Sequence, residues 1–288
     1  MTNTIVVGVD GSPAASAAVE WAADDAARGN AALRIVHVRE QWGDGAPFHA
    51  MPGFEDSLSE YCDGVVAAAA ARARQRAPGI EVETVLARGA VVETLTGEAE
   101  RAEEVVLGSR GMGGFAGLVL GSVGMAMAGH APGPVVIVRG RRQHVFGEIV
   151  VGFDGSPGSE AALEYAFDQA RARHARLRVV HAWQTPVFSP FALGYSDLMG
   201  DVFRSQAELF QQRLDPWKGK HPEVTVAGTA VCEHPTSALS DASRDADLVV
   251  VGSRGLGGVG SALLGSVSHG VLHRAHCPVA VVRPRPDR

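Results

Sequence analysis

Two glycine-rich segments have the residue types and spacing best suited to chemistry in this chain. Each reads G-x-x-G, then nine residues, then Gly-Ser, and the second copy stands 144 positions after the first. Each follows a short apolar run that is typical of a buried strand. The first glycine loop comprises Gly108, Ser109, Arg110, Gly111, Met112, Gly113 and Gly114 and continues to Gly121, Ser122 and Val123; the second comprises Gly252, Ser253, Arg254, Gly255, Leu256, Gly257 and Gly258 and continues to Gly265, Ser266 and Val267.

A glycine loop between a strand and a helix favours the binding of an anionic group. Because glycine has no Cβ, backbone N–H groups in such a loop can approach a ligand closely. The Gly-Ser pair predicts a helix start, where unpaired N–H donors and the helix dipole attract negative charge. The segments therefore predict a phosphate site. The alternative, a glycine-rich surface turn, explains one copy more readily than two copies at matching positions.

Two well-known phosphate loops do not fit these segments. A P-loop of the form G-x-x-x-x-G-K-[ST] needs a lysine that reaches the phosphates, and neither segment contains lysine. The second segment matches G-x-G-x-x-G from Gly255. A dinucleotide-binding loop, however, follows the first strand and has an acidic residue about 20 positions further on. Here the match follows the fourth predicted strand, and Ala280 occupies the acidic position. We therefore treat the match as accidental.

Polar side chains at equivalent positions of the two halves are further candidates. Asp10 and Asp154 each follow the first strand of their half. Such a carboxylate can form an Asx-type turn at the strand-to-helix bend, or accept hydrogen bonds from a ribose or an adenine amine, and the two roles are compatible. Arg110 and Arg254 are candidate phosphate contacts, with a solvated arginine at the rim as the alternative.

Histidines recur near the ends of predicted elements. His37 and His181 occupy equivalent positions in the second strand of each half, without a serine, cysteine or carboxylate in a triad-like context. This pattern favours packed histidines with a fixed tautomer. His269 and His273 share a predicted helix face near Cys277 and could bind zinc. The matching positions of the first half carry no such residues, so we assign no metal site.

An internal repeat divides the chain. The matching segments are 5–13 with 149–157, 33–38 with 177–182, and 134–138 with 278–282, always 144 residues apart and without gaps. The repeat predicts two domains, 1–143 and 144–288, each of a size within the usual range of about 100–200 residues.

Strands alternate with helices in each half, which predicts an α/β fold with a doubly wound parallel sheet of five strands covered on both faces. In the first half the predicted strands are 5–9, 33–38, 80–87, 105–107 and 134–138, and the predicted helices are 13–29, 55–77, 92–102 and 122–129. Ligands of such sheets bind beyond the carboxyl ends of the strands, at the switch point. We therefore expect Asp10, Val38 and Gly108 to meet in one crevice, and Asp154, Ala182 and Gly252 to meet in another.

Composition argues against several classes of partner. The formal net charge is −6, without a basic block, which disfavours nucleic acid and anionic membranes as main partners. No apolar run approaches the roughly 18 residues that a membrane span needs, and no leader segment is evident. Three widely separated cysteines fit a reducing compartment. We expect a cytoplasmic protein that binds neither nucleic acid nor membrane.

At this point the chain resembles the universal stress proteins in their tandem form. The resemblance rests on V-G-x-D-G-S at Val7–Ser12 and Val151–Ser156, on G-x-x-G-x9-G-[ST] at Gly108–Ser122 and Gly252–Ser266, and on closing P-V-x-x-V strands. It covers essentially the whole chain, and the long glycine motif is much more specific than a lone G-x-G-x-x-G.

The resemblance implies a Rossmann-like domain of the adenine-nucleotide-binding type in each half, which binds ATP, alone or with Mg²⁺. By matching positions, Asp10 and Val38 would hold the ribose and adenine, and the glycine loop would hold the phosphates. The implied binding residues are Gly8, Asp10, Val38, Gly108, Ser109, Arg110, Gly111, Gly113, Gly114, Gly121, Ser122 and Val123 in the first half, and Gly152, Asp154, Ala182, Gly252, Ser253, Arg254, Gly255, Gly257, Gly258, Gly265, Ser266 and Val267 in the second.

The favoured hypothesis is a nucleotide-dependent regulator linked to stress or dormancy, with one ATP site per domain. Hydrolysis is expected to be slow or absent, because no clear general base accompanies the phosphate loop. One alternative is a slow ATPase or phosphotransferase in which Asp10 or Asp154 orients water or holds Mg²⁺. Another is a binding module for a different nucleotide or a partner protein. The resemblance also implies pairing of the closing strands between the domains, and it leaves room for a homodimer.

The two halves differ at positions that bear on the sites. Glu104 stands where the second half has Leu248, which predicts an exposed charge or a loosely held edge in the fourth strand. Gly124 stands at the position of Ser268, which removes a hydroxyl group from the first site. These differences predict sites of unequal affinity.

Overall fold

The chain divides into two compact units. The computed structural model describes residues 3–40, 53–112, 120–140, 144–184, 196–256 and 264–285, with the backbone alone for 196–199. The first unit comprises Met1–Gln143 with Arg283–Arg288, and the second comprises His144–Val282.

In the first unit, helices and strands alternate along the chain. Its elements are β1 (Thr4–Gly8), α1 (Pro13–Gly29), β2 (Ala32–Arg39), α2 (Phe54–Arg76), β3 (Val82–Arg88), α3 (Val91–Ala99), β4 (Glu104–Gly108), α4 (Ser122–His130) and β5 (Gly133–Val138).

The strands of the first unit form a parallel sheet in the order β3-β2-β1-β4-β5. From β1 the chain moves outward through β2 and β3, and then crosses to β4 on the other side of β1. The connections that leave β1 and β4 therefore run in opposite directions, which makes the ends of these two strands a switch point. Gly8 ends β1 and Gly108 ends β4, so both predicted site segments reach this point.

The second unit repeats the same arrangement. Its strands pair in parallel in the order β8-β7-β6-β9-β10. The predicted α/β fold class is therefore confirmed. The elements are β6 (Glu148–Gly152), α5 (Pro157–Arg173), β7 (Arg176–Trp183), α6 (Ser196–Lys220), β8 (Val226–Cys232), α7 (Pro235–Ala242), a 3-10 turn (Ser243–Asp245), β9 (Leu248–Gly252), α8 (Ser266–Arg274) and β10 (Val279–Arg283).

Local sequence fixes both ends of α1. The Ser12 hydroxyl accepts a hydrogen bond from the Ala15 N–H at 3.1 Å, which caps the helix. Pro13 follows at the first helical position, where its missing N–H costs nothing. The helix ends at Asn30 in the left-handed conformation, with φ of 48°. Helix α5 uses the same devices, with Ser156 as its N-cap and a left-handed His174 at its C-cap.

The expectation for Glu104 is wrong. This residue is only 4% exposed, and it lies in β4 beside Ile5 of β1. Since β4 pairs with β1 on one side and β5 on the other, it is an interior strand of the sheet and not an edge. The carboxylate is therefore part of the interior of the first unit, where the second unit places the fully buried Leu248.

Element boundaries differ from the predictions by a few residues. The largest difference is α3, which ends at Ala99 and not near 102. Its end is set by the next strand, because Glu103 N already donates to Thr4 O of β1 at 2.8 Å. Within the described part of the chain, none of the helices combines the length and the apolar character needed to cross a membrane.

Candidate functional site

Asp10 joins the end of β1 to the first glycine loop. Its Oδ1 accepts a hydrogen bond from Ser12 N at 2.9 Å, which is the Asx-type turn, and its Oδ2 accepts one from Met112 N at 2.8 Å. Ser12 Oγ adds a second link by donating to Arg110 O at 3.3 Å. We call the carboxylate with its two backbone N–H donors the carboxylate clamp. It holds two segments 102 residues apart in sequence against each other.

Close packing explains why two positions of the loop are glycine. A Cβ at Gly111 would lie 2.5 Å from Asp10 Oδ2, where the carboxylate already sits. A Cβ at Gly108 would lie 2.6 Å from the backbone of Ala14 in α1. Real Cβ atoms do not show such distances. The Ala14 backbone cannot move aside, and the Asp10 carboxylate could do so only by giving up its hydrogen bond from Met112 N. Both glycines are therefore required by close packing of the loop on β1 and α1.

The end of the loop is hydrogen-bonded to its beginning, and helix α4 starts directly after it. Ser109 N donates to Val138 O of β5 at 2.9 Å, and Gly121 N donates to Ser109 O at 2.8 Å. Gly121 is the N-cap of α4, and no side chain among the described residues caps this helix. Ser122 is exposed at the first helical position, followed by Val123. Helix α4 therefore presents its first-turn N–H groups beside the loop.

The second unit contains the same clamp. Asp154 Oδ1 accepts from Ser156 N at 2.9 Å, and Oδ2 accepts from Leu256 N at 3.1 Å. A Cβ at Gly255 would meet Asp154 Oδ2, just as a Cβ at Gly111 would meet Asp10. Gly265 N donates to Ser253 O at 2.8 Å, and Gly265 is the N-cap of α8.

The carboxylate of the second clamp is held in its ionised form. Burial works to raise the pKa of Asp154. Hydrogen bonds from Ser156, Ser159 and the Leu256 backbone outweigh burial, and the pKa lies below its ordinary value. Asp154 is therefore negatively charged at neutral pH and a poor proton acceptor.

A cleft of about 880 Å³ lies beside the second clamp. It collects most of the residues predicted for this half, and it extends from the end of β7 to the start of α8. Ser253 is an exception, because it is buried beneath the loop and its backbone bonds to β10 and to Gly265. The predicted residues that line the cleft are Gly152, Asp154, Ala182, Gly252, Arg254, Gly255, Gly265, Ser266 and Val267.

Some predicted residues are not tested by this geometry. Gly113 and Gly114 of the first loop, and Gly257 and Gly258 of the second, lie outside the described residues. Val38 is half-buried near the carboxyl end of β2, and Arg110 is exposed on the first loop.

The two recurring histidines are packed against the sheet. His37 Nδ1 lies 2.7 Å from Val9 O, and His181 Nδ1 lies 2.9 Å from Phe153 O. Because a carbonyl oxygen only accepts, Nδ1 carries the proton in both. His181 also stacks on Phe210, with ring centroids 5.4 Å apart. These contacts support the interpretation of packed histidines with a fixed tautomer.

Comparison with known proteins decides the family. A model of the universal stress protein family matches twice, at residues 1–139 and 146–283. The chain belongs to the universal stress protein family.

Relatives of similar length match this chain over nearly its whole span. Universal stress protein Rv2005c of Mycobacterium tuberculosis H37Rv is 38% identical, with 97% of this chain and 96% of that protein covered. Universal stress protein MT2052 of M. tuberculosis CDC 1551 is 36% identical, covering 97% and 94%. The crystal structure of a universal stress protein from Archaeoglobus fulgidus has a TM-score of 0.72 at 22% identity and covers 99% of this chain and 98% of its own. It supports the fold.

The cleft of this universal stress protein also contains residues that sequence reasoning did not place there. Trp183 and Gln206 line it near the end of β7, and His269 lines it at the start of α8. Ser268 Oγ donates to Gly252 O at 2.6 Å and ties α8 to the loop. The first half has Arg39, Cys62 and Met125 at the positions that match Trp183, Gln206 and His269, so the internal repeat gave no signal for these three. The contrast between Ser268 and Gly124 was expected from the sequence.

His269 and His273 lie together on α8, with ring centroids 4.6 Å apart. Cys277 is buried, and its thiol donates to Pro278 O at 3.3 Å. Across the described ranges, no group of three or more His, Cys, Asp or Glu is placed to hold a metal ion.

Proposed function

We propose that this universal stress protein binds ATP, one molecule in each of the domains 1–143 and 144–288, and acts as a stress- or dormancy-linked regulator. The observation that carries the proposal is the cleft of the second unit. One continuous space of about 880 Å³ joins the end of β7 to a glycine loop and a helix N-terminus. This volume lies within the range of roughly 300–1,000 Å³ that is usual for ligand pockets.

In the proposed assignment, the base lies at Ala182 and the phosphates lie at the second glycine loop. Gly265, Ser266 and Val267 offer backbone N–H groups at the start of α8, where the helix dipole favours anions. Asp154 stands between the two ends and retains lone pairs for a ribose hydroxyl. In the first unit, the same assignment gives the base to Val38, the ribose to Asp10 and the phosphates to the loop and Ser122.

The cleft offers few protein ligands to the Mg²⁺ of a magnesium nucleotide. Asp154 is the only carboxylate among the described residues that line the cleft, and both its oxygens accept backbone N–H groups. Mg²⁺ bound with ATP would therefore be held mainly by phosphate oxygens and water. In this proposal, the protein itself contributes the N–H donors of the loop and of α8.

Slow or absent hydrolysis is part of the proposal. A general base works best with a pKa near the operating pH, whereas the pKa of Asp154 is lowered. His181 is stacked on Phe210 and uses Nδ1 to donate to a carbonyl. His269 is the exposed titratable side chain at the phosphate end, and it makes a slow ATPase the second candidate. Loss of phosphate release in His269→Ala, with ATP binding intact, would establish that second candidate.

Introducing a negative charge at the start of α4 and of α8 tests the binding proposal. Ser122→Asp and Ser266→Asp place a carboxylate where the phosphates are proposed to lie, at exposed first-turn positions where acidic residues stabilise helices by about 0.3–1 kcal/mol. After bound nucleotide has been removed from each protein, calorimetric titration with Mg-ATP should show two equivalents in the wild type, one in each single variant and none in the double variant.

Ser122→Asn and Ser266→Asn are the matched controls, because they have the same size without the charge. They should keep both equivalents. Full binding by the double Asp variant would place the nucleotide elsewhere. No binding of ATP by the wild type, with binding of another nucleotide, would support the module hypothesis. Steady phosphate release at ordinary enzyme rates would contradict the regulatory role.

We also propose a cytoplasmic location. The three cysteines are all free thiols, with Cys62 and Cys277 buried and Cys232 exposed, which suits a reducing compartment.

A further inference from the structure

The second unit carries an aromatic pair at one end of its cleft. Trp183, near the carboxyl end of β7, lines the cleft. Its ring packs against Phe203 of α6, with centroids 4.9 Å apart and planes tilted by 58°. Phe203 is 43% exposed, so it supports the indole from the solvent side. Trp183, held from behind by Phe203, gives this end of the cleft a flat aromatic surface.

The position of the pair along the cleft matches the base end of the proposed nucleotide. Ala182, the residue whose backbone is assigned to the base, directly precedes Trp183, and both line the cleft. The start of α8, assigned to the phosphates, lies at the opposite end. Gln206 of α6 also lines the cleft, and its amide offers one donor group and one acceptor to a base edge.

The first unit has different chemistry at the same place. Arg39 stands 144 positions before Trp183, and its guanidinium is hydrogen-bonded to Glu55 of α2. The position matching Phe203 is Ser59. An ion pair therefore occupies the corner that is aromatic in the second unit. The aromatic pair occurs in one of two units that share the same carboxylate clamp, so the shared fold does not require it.

We propose that Trp183, supported by Phe203, stacks on the base of a purine nucleotide bound in the second unit. This inference rests on the proposed function and adds the feature that distinguishes nucleotides from other polyphosphates. Stacking on an aromatic ring is strong for every base, because each presents a π-face. The second site therefore selects a planar base, whereas the glycine loop alone would accept any polyphosphate.

Two variants test the stack, titrated with Mg-ATP and with inorganic tripolyphosphate as a baseless probe. Trp183→Ala should weaken ATP binding in the second unit by about tenfold or more, in line with stacking energies of about 1–3 kcal/mol. It should leave tripolyphosphate affinity within about twofold. Trp183→Phe keeps a ring and should bind ATP within about threefold of the wild type. Every protein in this comparison, including the reference, also carries Ser122→Asp, which restricts ATP binding to the second site.

Tryptophan fluorescence gives an independent readout. ATP should quench a part of the emission in the wild type, and Trp183→Phe should abolish that part. Trp217→Phe is the matched control, because Trp217 stacks on Phe167 and does not line the cleft. It should retain the quenching.

The outcomes separate this inference from the function on which it rests. Equal weakening of ATP and tripolyphosphate by Trp183→Ala would mean a general disturbance of the cleft and would overturn the stacking role. Unchanged ATP affinity in Trp183→Ala would overturn it as well, while ATP binding itself would stand. Failure of the wild-type second site to bind either probe would overturn both proposals.

Discussion

In the first unit, Asp10 ties Ser12 N and Met112 N together; in the second unit, Asp154 does the same for Ser156 N and Leu256 N. Around these equal clamps the two units differ. At the carboxyl end of the second strand of each unit, the first unit has an Arg39–Glu55 ion pair, whereas the second has the aromatic pair Trp183–Phe203.

The comparison separates the residues that build the loop from those that surround it. The clamp leaves little room for change, because a Cβ at Gly111 or Gly255 would push the carboxylate away from its backbone donors. Neighbouring positions face the open cleft or the sheet interior, where several side chains fit. Divergence between the units should therefore change ligand preference and stability more than loop geometry.

The strongest test of this view exchanges residues at the start of the fourth strand of each unit. Leu248→Glu puts a carboxylate at a fully buried position that has an apolar side chain, and should lower the free energy of unfolding of the second unit by about 3 kcal/mol or more. Glu104→Leu replaces a buried carboxyl group by an apolar group and should cost much less, or stabilise the first unit.

Urea unfolding followed by hydrogen exchange of peptides from each unit measures both effects. Equal destabilisation by the two substitutions would show that the first unit depends on its buried carboxylate, contrary to the view that this position is free to diverge.

A smaller effect is expected from Asp154→Asn, which removes the charge of the second clamp. The amide keeps one acceptor but presents NH₂ to a backbone donor, so the second unit should lose about 1–3 kcal/mol at pH 7. The folded-state pKa of Asp154 is lowered, so its stabilisation is complete above the unfolded pKa of about 4 and disappears as pH falls through the folded value.

The gap in unfolding free energy between wild type and Asp154→Asn should therefore be constant from pH 7 to about 5 and shrink below about pH 4. Urea unfolding at several pH values, followed by fluorescence in a Trp21→Phe, Trp42→Phe background, reports the second unit through Trp183 and Trp217. A gap that widens in acid would contradict the lowered pKa.

The smallest expected loss of stability concerns the hydrogen bond from Ser268 Oγ to Gly252 O, which has no counterpart at Gly124 of the first unit. Ser268→Ala removes the hydroxyl that donates to Gly252 O at 2.6 Å and should cost about 1 kcal/mol. Hydrogen exchange of the α8 amides should increase, while peptides of α4, where Gly124 occupies this position, should not change. No change in α8 would mean that this bond does not hold the helix.

Much of this arrangement was predictable from the repeat. Glycine, proline and serine positions fixed the loops and helix starts of both units, because each acts through its own backbone geometry. The reason for Gly111 was not predictable, since it depends on Asp10, about a hundred residues earlier, folding against it. Trp183 was missed because it occurs in one copy alone, and for the same reason His269 was considered only as a zinc ligand and not as part of the cleft. The burial of Glu104 was missed because local sequence does not reveal which strands lie inside the sheet.

The nucleotide that stays with the purified protein tests the central claim most directly. The protein is denatured, the released nucleotides are separated by ion-pair chromatography, and their amount is compared with that of the chain. The account predicts about two equivalents of ATP in the wild type, and one in Ser122→Asp and in Ser266→Asp. Mostly ADP would favour the ATPase alternative. No nucleotide, even after soaking with Mg-ATP, would contradict the claim and leave two glycine turns that bind nothing.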